Sequence, residues 1–187
     1  TRGHTSMTGT FFGSCGLAEC ITKTAKQAGW KRKYGKLPPL KGIGIGVGAM
    51  ASGAKGVFKH DTSAAFIKIV DDGSMSLFVG LPDMGQSSHT AMAMIAAEVL
   101  GAKPTDISVI SGDTDIVPLD VGALIQRGTF NTGNAVKAAA LDARKQLEVL
   151  AAGRLGVKPA QLVFRDRQVY PKGQPEKAIP LKKIVYD

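Results

Sequence analysis

The feature that most constrains the fold is a succession of strand, loop and helix that occurs twice in the chain. An apolar strand that ends near Gly80 leads through a polar loop into a helical pattern over 87–100. The strand 106–114 leads in the same way through a longer loop into the helical segment 131–155. Because pairs of strands alternate with single helices, the sequence predicts an α+β fold.

Local patterns predict the remaining elements. Two apolar runs joined by turn residues predict a hairpin over 63–80, with its turn at 71–74. A short amphipathic helix is expected over 14–30, where Gly29 provides the stop. Three further segments are a basic connector at 31–41, a strand with a bare glycine face at 42–53, and a bent strand or strand pair at 161–170.

Composition bounds the class of protein. The 187 residues, 44% hydrophobic and 21% charged, suffice to build a core as one domain or as two lobes over 1–60 and 61–187. The only cysteines, Cys15 and Cys20, cannot make a disulfide framework and suit a reducing, cytoplasmic setting. No run reaches the ~20 apolar residues of a membrane span. Because the chain lacks an initiator Met, we expect a fragment of a longer protein.

The net charge of +9 leaves two interpretations open. A basic chain can be a module that binds anions or nucleic acid, or its Lys and Arg residues can be spread over a solvated surface. Only the run Lys31–Lys33 and some pairs near the C-terminus are dense, and they lack interleaved aromatic residues and a recognition motif. The sequence therefore favours a solvated surface without a nucleic-acid partner.

The glycines of the 42–53 segment offer a second alternative, a dinucleotide-binding oxidoreductase domain. Gly44, Gly46 and Ala49 match the spacing of the dinucleotide fingerprint. That fingerprint also needs a helix that opens directly after it, and no helical pattern follows here. A strand that another backbone approaches closely is the favoured interpretation.

The loop before the first of the two helices, Asp83 to Thr90, is a candidate ligand site. Its small polar residues place free backbone N–H groups and the positive end of the helix dipole at the loop, which favours an anion. Gln86 can donate and accept hydrogen bonds in one plane, which suits the edge of a flat heterocycle. The alternative is an ordinary helix cap formed by Ser87 or Ser88.

The loop before the second helix, within 115–134, repeats this arrangement and contains a single arginine, Arg127. Two strand-to-helix loops in one small domain are expected to converge on one anionic ligand. The alternative is that Arg127 only holds its own loop together by bonding Asp113, Asp115 or Asp120.

Five motifs follow one another in a specific order. They are Met84-Gly85-Gln86 with Thr90, Ala97-Glu98-Val99-Leu100-Gly101, Gly112-Asp113-Thr114-Asp115, a loop with Arg127, and Gly133-Asn134-Ala135. In this order they resemble the second molybdopterin-binding region of the xanthine dehydrogenase and aldehyde oxidase family. The pattern is most similar to large subunits of the 4-hydroxybenzoyl-CoA reductase and carbon monoxide dehydrogenase type. This resemblance implies that the α+β fold consists of small mixed sheets with helices packed on them.

The resemblance implies a set of cofactor-binding residues. They are Met84, Gly85, Gln86, Ser87 and Thr90 in the first loop, and Ala123, Leu124, Gln126, Arg127 and Gly128 in the second. The implied cofactor is molybdopterin, as such or as its cytosine dinucleotide, with molybdenum. Two positions depart from the family's motifs: Ser87 stands where the family has a second Gly, and the run 124–126 replaces a smaller and more polar one.

The resemblance also implies an activity and partners. A molybdenum hydroxylase of this family inserts a water-derived oxygen at an activated carbon of an aromatic or aldehyde-like substrate, or removes it in the reductase branch. The family's substrate loops and its catalytic glutamate, in a Gly-x-Gly-Glu context, are not found here. We therefore expect no catalytic residue, no metal ligand and no turnover from this chain alone. The implied partners are the rest of the large subunit or a sister subunit, together with iron–sulfur and FAD subunits.

Overall fold

The structure is a computed structural model that describes residues 3–6, 9, 11–48, 50 and 59–186. Contacts between Cα positions divide the chain into two compact units. The N-terminal unit comprises residues 1–51 and 55–59, and the C-terminal unit comprises residues 52–54 and 60–187. The division into two lobes over 1–60 and 61–187 stays a prediction.

Two helices organise the N-terminal unit. The first, α1, spans Leu17–Gln27, and the second, α2, spans Trp30–Lys33. Gly29 lies between them with a φ of 70°, the left-handed conformation that glycine tolerates best. The predicted helix and its glycine stop are confirmed. The predicted connector 31–41 is wrong in its first residues, because the turn at Gly29 leads into a further helical turn.

The predicted strand over 42–53 is wrong for its described part. Residues 42–48 belong to no strand. The expected close approach of another backbone is also missing, since a Cβ would meet nothing within 4 Å if it were placed on Gly42, Gly44, Gly46 or Gly48. Strand hydrogen bonds need a neighbouring strand, and the described residues supply none at this place. Residues 49 and 51–53 lie outside the described part of the chain.

A three-stranded mixed sheet forms the centre of the C-terminal unit. The strands β1 (Ala65–Ile69) and β2 (Met75–Val79) form an antiparallel hairpin, and β3 (Ile107–Ile110) lies parallel to β2. A helix, α3 (Ser88–Leu100), connects β2 to β3, because a parallel pair requires a crossover connection. The predicted hairpin and the predicted mixed sheet are confirmed.

Helix α3 and the long helix α4 (Gly128–Leu155) pack on one face of this sheet. Alternate residues of β2, namely Met75, Leu77 and Val79, are buried in the resulting core. The two helices approach each other closely at Gly133, where a Cβ would lie 2.9 Å from Ile95 Cδ1. The core of the C-terminal unit is therefore a sheet-and-helix sandwich of two layers.

Helix α4 begins three residues before its predicted start at 131. Asn131 N–H donates a hydrogen bond to the Arg127 carbonyl oxygen, with an N···O distance of 2.7 Å. The side chain of Arg127 consequently lies at the junction between the second loop and the helix.

A second, antiparallel sheet follows α4. It contains β4 (Leu162–Arg165), β5 (Gln168–Pro171) and β6 (Ile179–Pro180), and a short helix, α5 (Leu181–Val185), comes after it. The first two strands are the strand pair predicted over 161–170. Their turn is formed by Asp166 and Arg167, whose φ values of 50° and 58° provide the left-handed pair that a two-residue hairpin turn needs.

The parallel pairing of β2 and β3 decides where the two candidate loops lie. Parallel neighbours end at the same edge of a sheet, so the loop 80–87 and the loop 111–127 both leave from one edge. Each of these loops leads into a helix, α3 or α4. The topology therefore brings together two strand-to-helix connections that are separated in the sequence.

Candidate functional site

Asp83 occupies the start of α3, where the sequence predicts an anionic ligand. Its Oδ1 accepts a hydrogen bond from Gly85 N–H at 2.8 Å, and its Oδ2 accepts one from His89 N–H at 3.4 Å. The hydrogen bond from Gly85 is the main reason that the pKa of Asp83 lies below its ordinary value. The side chain is therefore a carboxylate at neutral pH, and a ligand phosphate at this helix start would meet a charge of its own sign.

Ser87 precedes α3 in a left-handed conformation, with a φ of 57°. It makes no capping hydrogen bond with its side chain, and the Ser88 hydroxyl donates to the Pro82 carbonyl oxygen at 3.2 Å. The predicted serine cap is therefore wrong. A positive φ costs a residue with a Cβ roughly 1–2 kcal/mol, so the backbone at Ser87 is strained.

Gln86 is fixed by two hydrogen bonds within its own loop. Its Oε1 accepts from Met84 N–H at 2.6 Å, and its Nε2 donates to the Pro82 carbonyl oxygen at 3.1 Å. A glutamine amide has two N–H donors and two acceptor lone pairs, so one donor and one lone pair remain. Because the two loop bonds hold the plane of the amide, these remaining groups are presented in a fixed orientation on an exposed residue.

The other predicted residues of the first loop are open to solvent. Met84 is 70% exposed, and Thr90 is exposed in the first turn of α3. Gly85 has a φ of 104°, and a Cβ placed there would meet nothing within 4 Å. Met84, Gly85, Gln86 and Thr90 are therefore each accessible to a ligand.

The second loop enters α4 through two consecutive left-handed residues, Ile125 and Gln126, with φ values of 49° and 53°. Neither is a glycine, so the backbone is strained at both. Such strain persists only where the surroundings hold it, and it is common at ligand sites. Ala123 and Leu124 are half-buried, whereas Gln126 is exposed.

Arg127 is buried, and all five of its N–H donors have partners within the chain. The partners are Asp61 Oδ1, Asp120 Oδ1, the Gly122 and Thr62 carbonyl oxygens, and Ser63 Oγ, at 2.5 to 3.0 Å. A guanidinium has five N–H donors, so none remains for a ligand. The sequence predicts that Arg127 binds the cofactor directly. Such a contact would need a guanidinium N–H donor that is not already bonded within the chain. Of the carboxylates in the alternative prediction, only Asp120 bonds Arg127.

Asp120 completes a closed set of hydrogen bonds, which we call the Arg127 network: Arg127, Asp61, Asp120, Ser63 and Thr132. Asp120 Oδ1 also accepts from Gly122 N–H at 2.7 Å, and its Oδ2 accepts from the Thr132 hydroxyl at 2.8 Å. The Thr132 and Ser63 hydroxyl oxygens are 3.1 Å apart. Burial lowers the pKa of Arg127, but the hydrogen bonds to Asp61 and Asp120 outweigh it and raise this pKa, so the guanidinium stays charged.

Two members of the Arg127 network, Asp61 and Ser63, are not indicated by the sequence. Asp61 lies 66 positions before Arg127, and no motif or periodicity connects the two. Ser63 meets Asp120 in an isolated antiparallel bridge, and Thr132 belongs to the first turns of α4. The only available signal was that a buried arginine needs carboxylate partners, and that signal points no further than the neighbouring aspartates.

The two loops touch at their bases. A Cβ placed on Gly80 would lie 2.4 Å from the Pro118 carbonyl oxygen and 2.7 Å from Asp120 Cβ. A Cβ placed on Gly128 would lie 3.2 Å from Leu81 Cδ1. These glycines therefore permit a close approach, and the two loops form one continuous surface at the edge of the sheet.

The combined surface of the loops has no cation available for a phosphate. The Asp and Arg residues of 80–90 and 111–127 are Asp83, Asp113, Asp115, Asp120 and Arg127, and Arg127 is fully paired. His89 is hydrogen-bonded to Ser111 Oγ at 2.8 Å, which joins the two loops a second time. The surface offers neutral amide, hydroxyl and backbone groups, which suit the edge of a heterocycle better than a bare phosphate.

The described ranges contain no group of three or more His, Cys, Asp or Glu residues that is placed to hold a metal ion. Within the same ranges, no helix is long and apolar enough to cross a membrane.

Comparisons with known proteins agree on one family. A family model described as the molybdopterin cofactor-binding domain matches residues 20–187. The probable hypoxanthine oxidase XdhD of Escherichia coli strain K12 is 34% identical over 146 residues, which are 76% of this chain and 15% of that protein. The carbon monoxide dehydrogenase large chain of Afipia carboxidovorans is 31% identical over 170 residues, which are 87% of this chain and 20% of that protein.

Solved structures show the same likeness. The Cu,Mo-CO dehydrogenase in its carbon monoxide reduced state superposes with a TM-score of 0.64 at 28% identity, covering 91% of this chain and 22% of that chain. This chain therefore corresponds to a domain-sized part of its relatives. The similarity to carbon monoxide dehydrogenases is confirmed, whereas the similarity to 4-hydroxybenzoyl-CoA reductase stays a prediction.

Proposed function

This chain belongs to the molybdopterin cofactor-binding domain family, and from that premise we propose that its two strand-to-helix loops form part of the molybdopterin site of a larger molybdenum hydroxylase. The observation that carries the proposal is the meeting of the two loops at one edge of the sheet. When bound, molybdopterin with molybdenum supplies the redox centre for inserting or removing a substrate oxygen.

The first loop is proposed to recognise the edge of the pterin. Gln86 has one amide donor and one lone pair left for the ring, and the exposed Thr90 adds a hydroxyl. The exposed side chain of Met84 would cover the ring, and the open backbone at Gly85 would let it come close. Ser87 would hold the left-handed turn that orients Gln86.

The second loop is proposed to contact the cofactor through Ala123, Leu124 and Gln126, with Arg127 as a positioning residue. Arg127 ties the loop to the segment 61–63 and so supports the strained backbone that precedes it. Gly128 would act through the close approach of Leu81. Phosphate groups of the cofactor would then be bound by other parts of the complete protein.

For the complete protein we propose a molybdenum-dependent oxidoreductase that acts on an aromatic or aldehyde-like substrate. The names of two relatives, a hypoxanthine oxidase and a carbon monoxide dehydrogenase large chain, support an oxidoreductase, and the first name also supports an aromatic substrate. The finer proposals are the cytosine dinucleotide form of the cofactor and, as partners, the rest of the large subunit or a sister subunit with iron–sulfur and FAD subunits. A cytoplasmic setting agrees with the unpaired Cys15 and Cys20.

The dinucleotide-binding alternative gains no support. Its fingerprint requires a strand before the glycines, and residues 42–48 form neither strand nor helix. The nucleic-acid alternative likewise gains no support from the family model or from the relatives named above.

The test uses the complete enzyme and measures molybdenum and pterin per protein chain. Gln86→Leu and Thr90→Val are each expected to weaken cofactor retention about tenfold, the effect of losing one hydrogen bond to a ligand. Gln146→Leu is the matched control, because Gln146 is exposed on α4 and bonds only Asp142. Cofactor content equal to the control in both loop variants would overturn the proposed site.

The role of Arg127 is tested separately in the same enzyme. Arg127→Lys and Arg127→Ala are both expected to reduce cofactor content, because a lysine cannot reproduce five donors in one plane. A triple variant of Lys31, Arg32 and Lys33 to Ala serves as the charge control. Normal cofactor content in both Arg127 variants would remove this residue from the site.

A further inference from the structure

The net charge of the chain is confined to its N-terminal unit. That unit contains ten Lys and Arg residues and one Glu, a net charge of +9. The C-terminal unit contains fourteen Lys and Arg residues and fourteen Asp and Glu residues, so it is neutral overall. Basic residues are thus spread over both units, as the sequence predicts, but only in the N-terminal unit are they not balanced by acidic residues.

Most of this charge belongs to residues 17–41, which include α1 and α2 and which we call the basic helical surface. Seven of the ten basic residues of the unit lie in it. Glu19, the only acidic residue of the unit, is paired with Lys23 at 2.6 Å. The other basic side chains therefore have no carboxylate of their own unit to pair with. Neighbouring cations such as Lys31–Lys33 lie within the roughly 8 Å over which charges act at physiological salt, so they repel one another.

The basic helical surface also exposes apolar groups. Helix α1 is amphipathic, yet none of its residues is buried, and Leu17 is 47% exposed. Trp30 stacks on Tyr34 with ring centroids 4.6 Å apart, and Tyr34 is 62% exposed. Aromatic and arginine side chains in such a setting are typical of the energetic centres of protein interfaces.

We propose that the basic helical surface docks on an acidic protein surface. The apolar side of α1, formed by Leu17, Ile21 and Ala25, fits the binding mode in which an amphipathic helix lies in an apolar groove. The basic residues of 17–41 would be complementary to acidic residues of the same partner surface. The acidic groups would supply the carboxylates that the N-terminal unit lacks. That this partner belongs to the same complete protein or complex rests on the proposed function.

Two other partners fit the geometry less well. The apolar side of α1 is small, because the helix has 11 residues and presents Leu17, Ile21 and Ala25. A helix held at a lipid surface depends on more buried apolar area than this. Single-stranded nucleic acid needs aromatic faces free to stack on bases, whereas Trp30 and Tyr34 stack on each other.

Binding to the basic helical surface can be followed by tryptophan fluorescence, because Trp30 is the single tryptophan of the chain. Poly-L-glutamate is expected to change the Trp30 fluorescence with an affinity that falls as salt rises. The triple variant Lys31→Gln, Arg32→Gln, Lys33→Gln should bind about tenfold more weakly, as three lost charge contacts at an exposed surface predict. The matched control replaces Lys172, Lys177 and Lys183, which are exposed in the C-terminal unit, and should bind like the unchanged chain.

Parallel titrations with phosphatidylserine vesicles and with a single-stranded DNA oligonucleotide distinguish the partners. Tighter binding to either than to polyglutamate, or equal weakening in both triple variants, would overturn the proposal. In the complete enzyme, zero-length carbodiimide cross-links should join Lys31 or Lys33 to carboxylates outside residues 1–187, and cross-links confined to this chain would contradict it. The docking proposal and the proposed cofactor site can be disproved independently. Polyglutamate binding needs no cofactor, and the triple variants leave Gln86 and Thr90 unchanged.

Discussion

At the scale of single residues, the charge of Arg127 is balanced by two carboxylates of different exposure. The Asp120 side chain is 0% exposed, and that of Asp61 is 20% exposed. A buried ion pair adds little net stability compared with apolar residues of the same shape, but removing one partner leaves an uncompensated charge. The Arg127 network is therefore better understood as a device that fixes the geometry of the second loop than as a source of stability.

Ser87 provides a prediction at this scale. Its left-handed backbone is strained with a serine, so Ser87→Gly should be about 1 kcal/mol more stable than Ser87→Ala and at least as stable as the unchanged chain. Urea unfolding of the three proteins measures the free energies. A glycine variant less stable than the alanine variant would show that the serine side chain, and not the backbone, determines stability at this position.

At the scale of elements, the second loop lies where it does because β2 is followed by Gly80, a residue without a side chain. A Cβ on Gly80 would collide with the backbone at Pro118, and backbone cannot move aside as a flexible side chain can. Asp120 lies next to Gly80 at the same contact, and its carboxylate accepts a hydrogen bond from Arg127. The end of one strand thus determines the position of the loop that follows another.

Gly80→Ala should therefore destabilise the C-terminal unit by about 1–3 kcal/mol, the usual cost of overpacking. Gly153→Ala is the control, because Gly153 lies within α4 and a Cβ there would meet nothing within 4 Å. That control should stabilise the chain by about 1 kcal/mol, since alanine is the better helix former. Equal unfolding free energies for the two variants would contradict the proposed close contact.

The Asp83 carboxylate, which accepts backbone hydrogen bonds at the start of α3, makes the free energy of unfolding depend on pH. Because the pKa of Asp83 is lowered in the folded chain, its stabilising effect is fully present above about pH 4 and is lost as pH falls through the folded pKa. The stability lost in Asp83→Asn should thus be largest at neutral pH and should shrink below about pH 4. Urea unfolding over this pH range provides the measurement.

Asp71→Asn is the control for Asp83, because Asp71 is exposed in the turn between β1 and β2. A difference between Asp83→Asn and the unchanged chain that stays constant with pH would show that the carboxylate does not cap the helix.

At the scale of the whole molecule, the two units differ in how they are stabilised. Every buried apolar residue of the described chain lies between Met75 and Ile184, within the C-terminal unit. No described residue of the N-terminal unit is buried. The C-terminal unit therefore has a core of its own, while the N-terminal unit consists of helices that are too short to be stable in isolation.

A chain of residues 60–187 should consequently unfold cooperatively, with a free energy within about 1 kcal/mol of that of the full chain. Residues 1–59 alone should show no cooperative transition. Circular dichroism during urea titration measures both. Loss of the cooperative transition in 60–187 would contradict the assignment of the core to the C-terminal unit.

Part of the fold could be predicted from the sequence because its signals are local. The hairpin at 63–80 follows from two apolar runs and a turn, and the helix at 87–100 follows from a periodic apolar face. The candidate loops could be located for the same reason, since they lie between a strand and a helix. The strand prediction for the glycine-alternating segment 42–48 was wrong because a strand also needs a partner strand, and no local pattern specifies that partner.

The sequence by itself determined the α+β class, the family and the two loops, because periodicity, turn residues and motif order are properties of neighbouring residues. Only the tertiary structure decided which partners the charged side chains of those loops have. It placed Asp61, 66 positions earlier in the sequence, against Arg127. The guanidinium predicted to bind a ligand is thus hydrogen-bonded within the chain. The tertiary structure also placed the Asp83 carboxylate at the start of α3, where an anion was expected. Hydrogen bonds of this kind depend on distances between atoms that the folded chain brings together, and no spacing along the sequence encodes those distances.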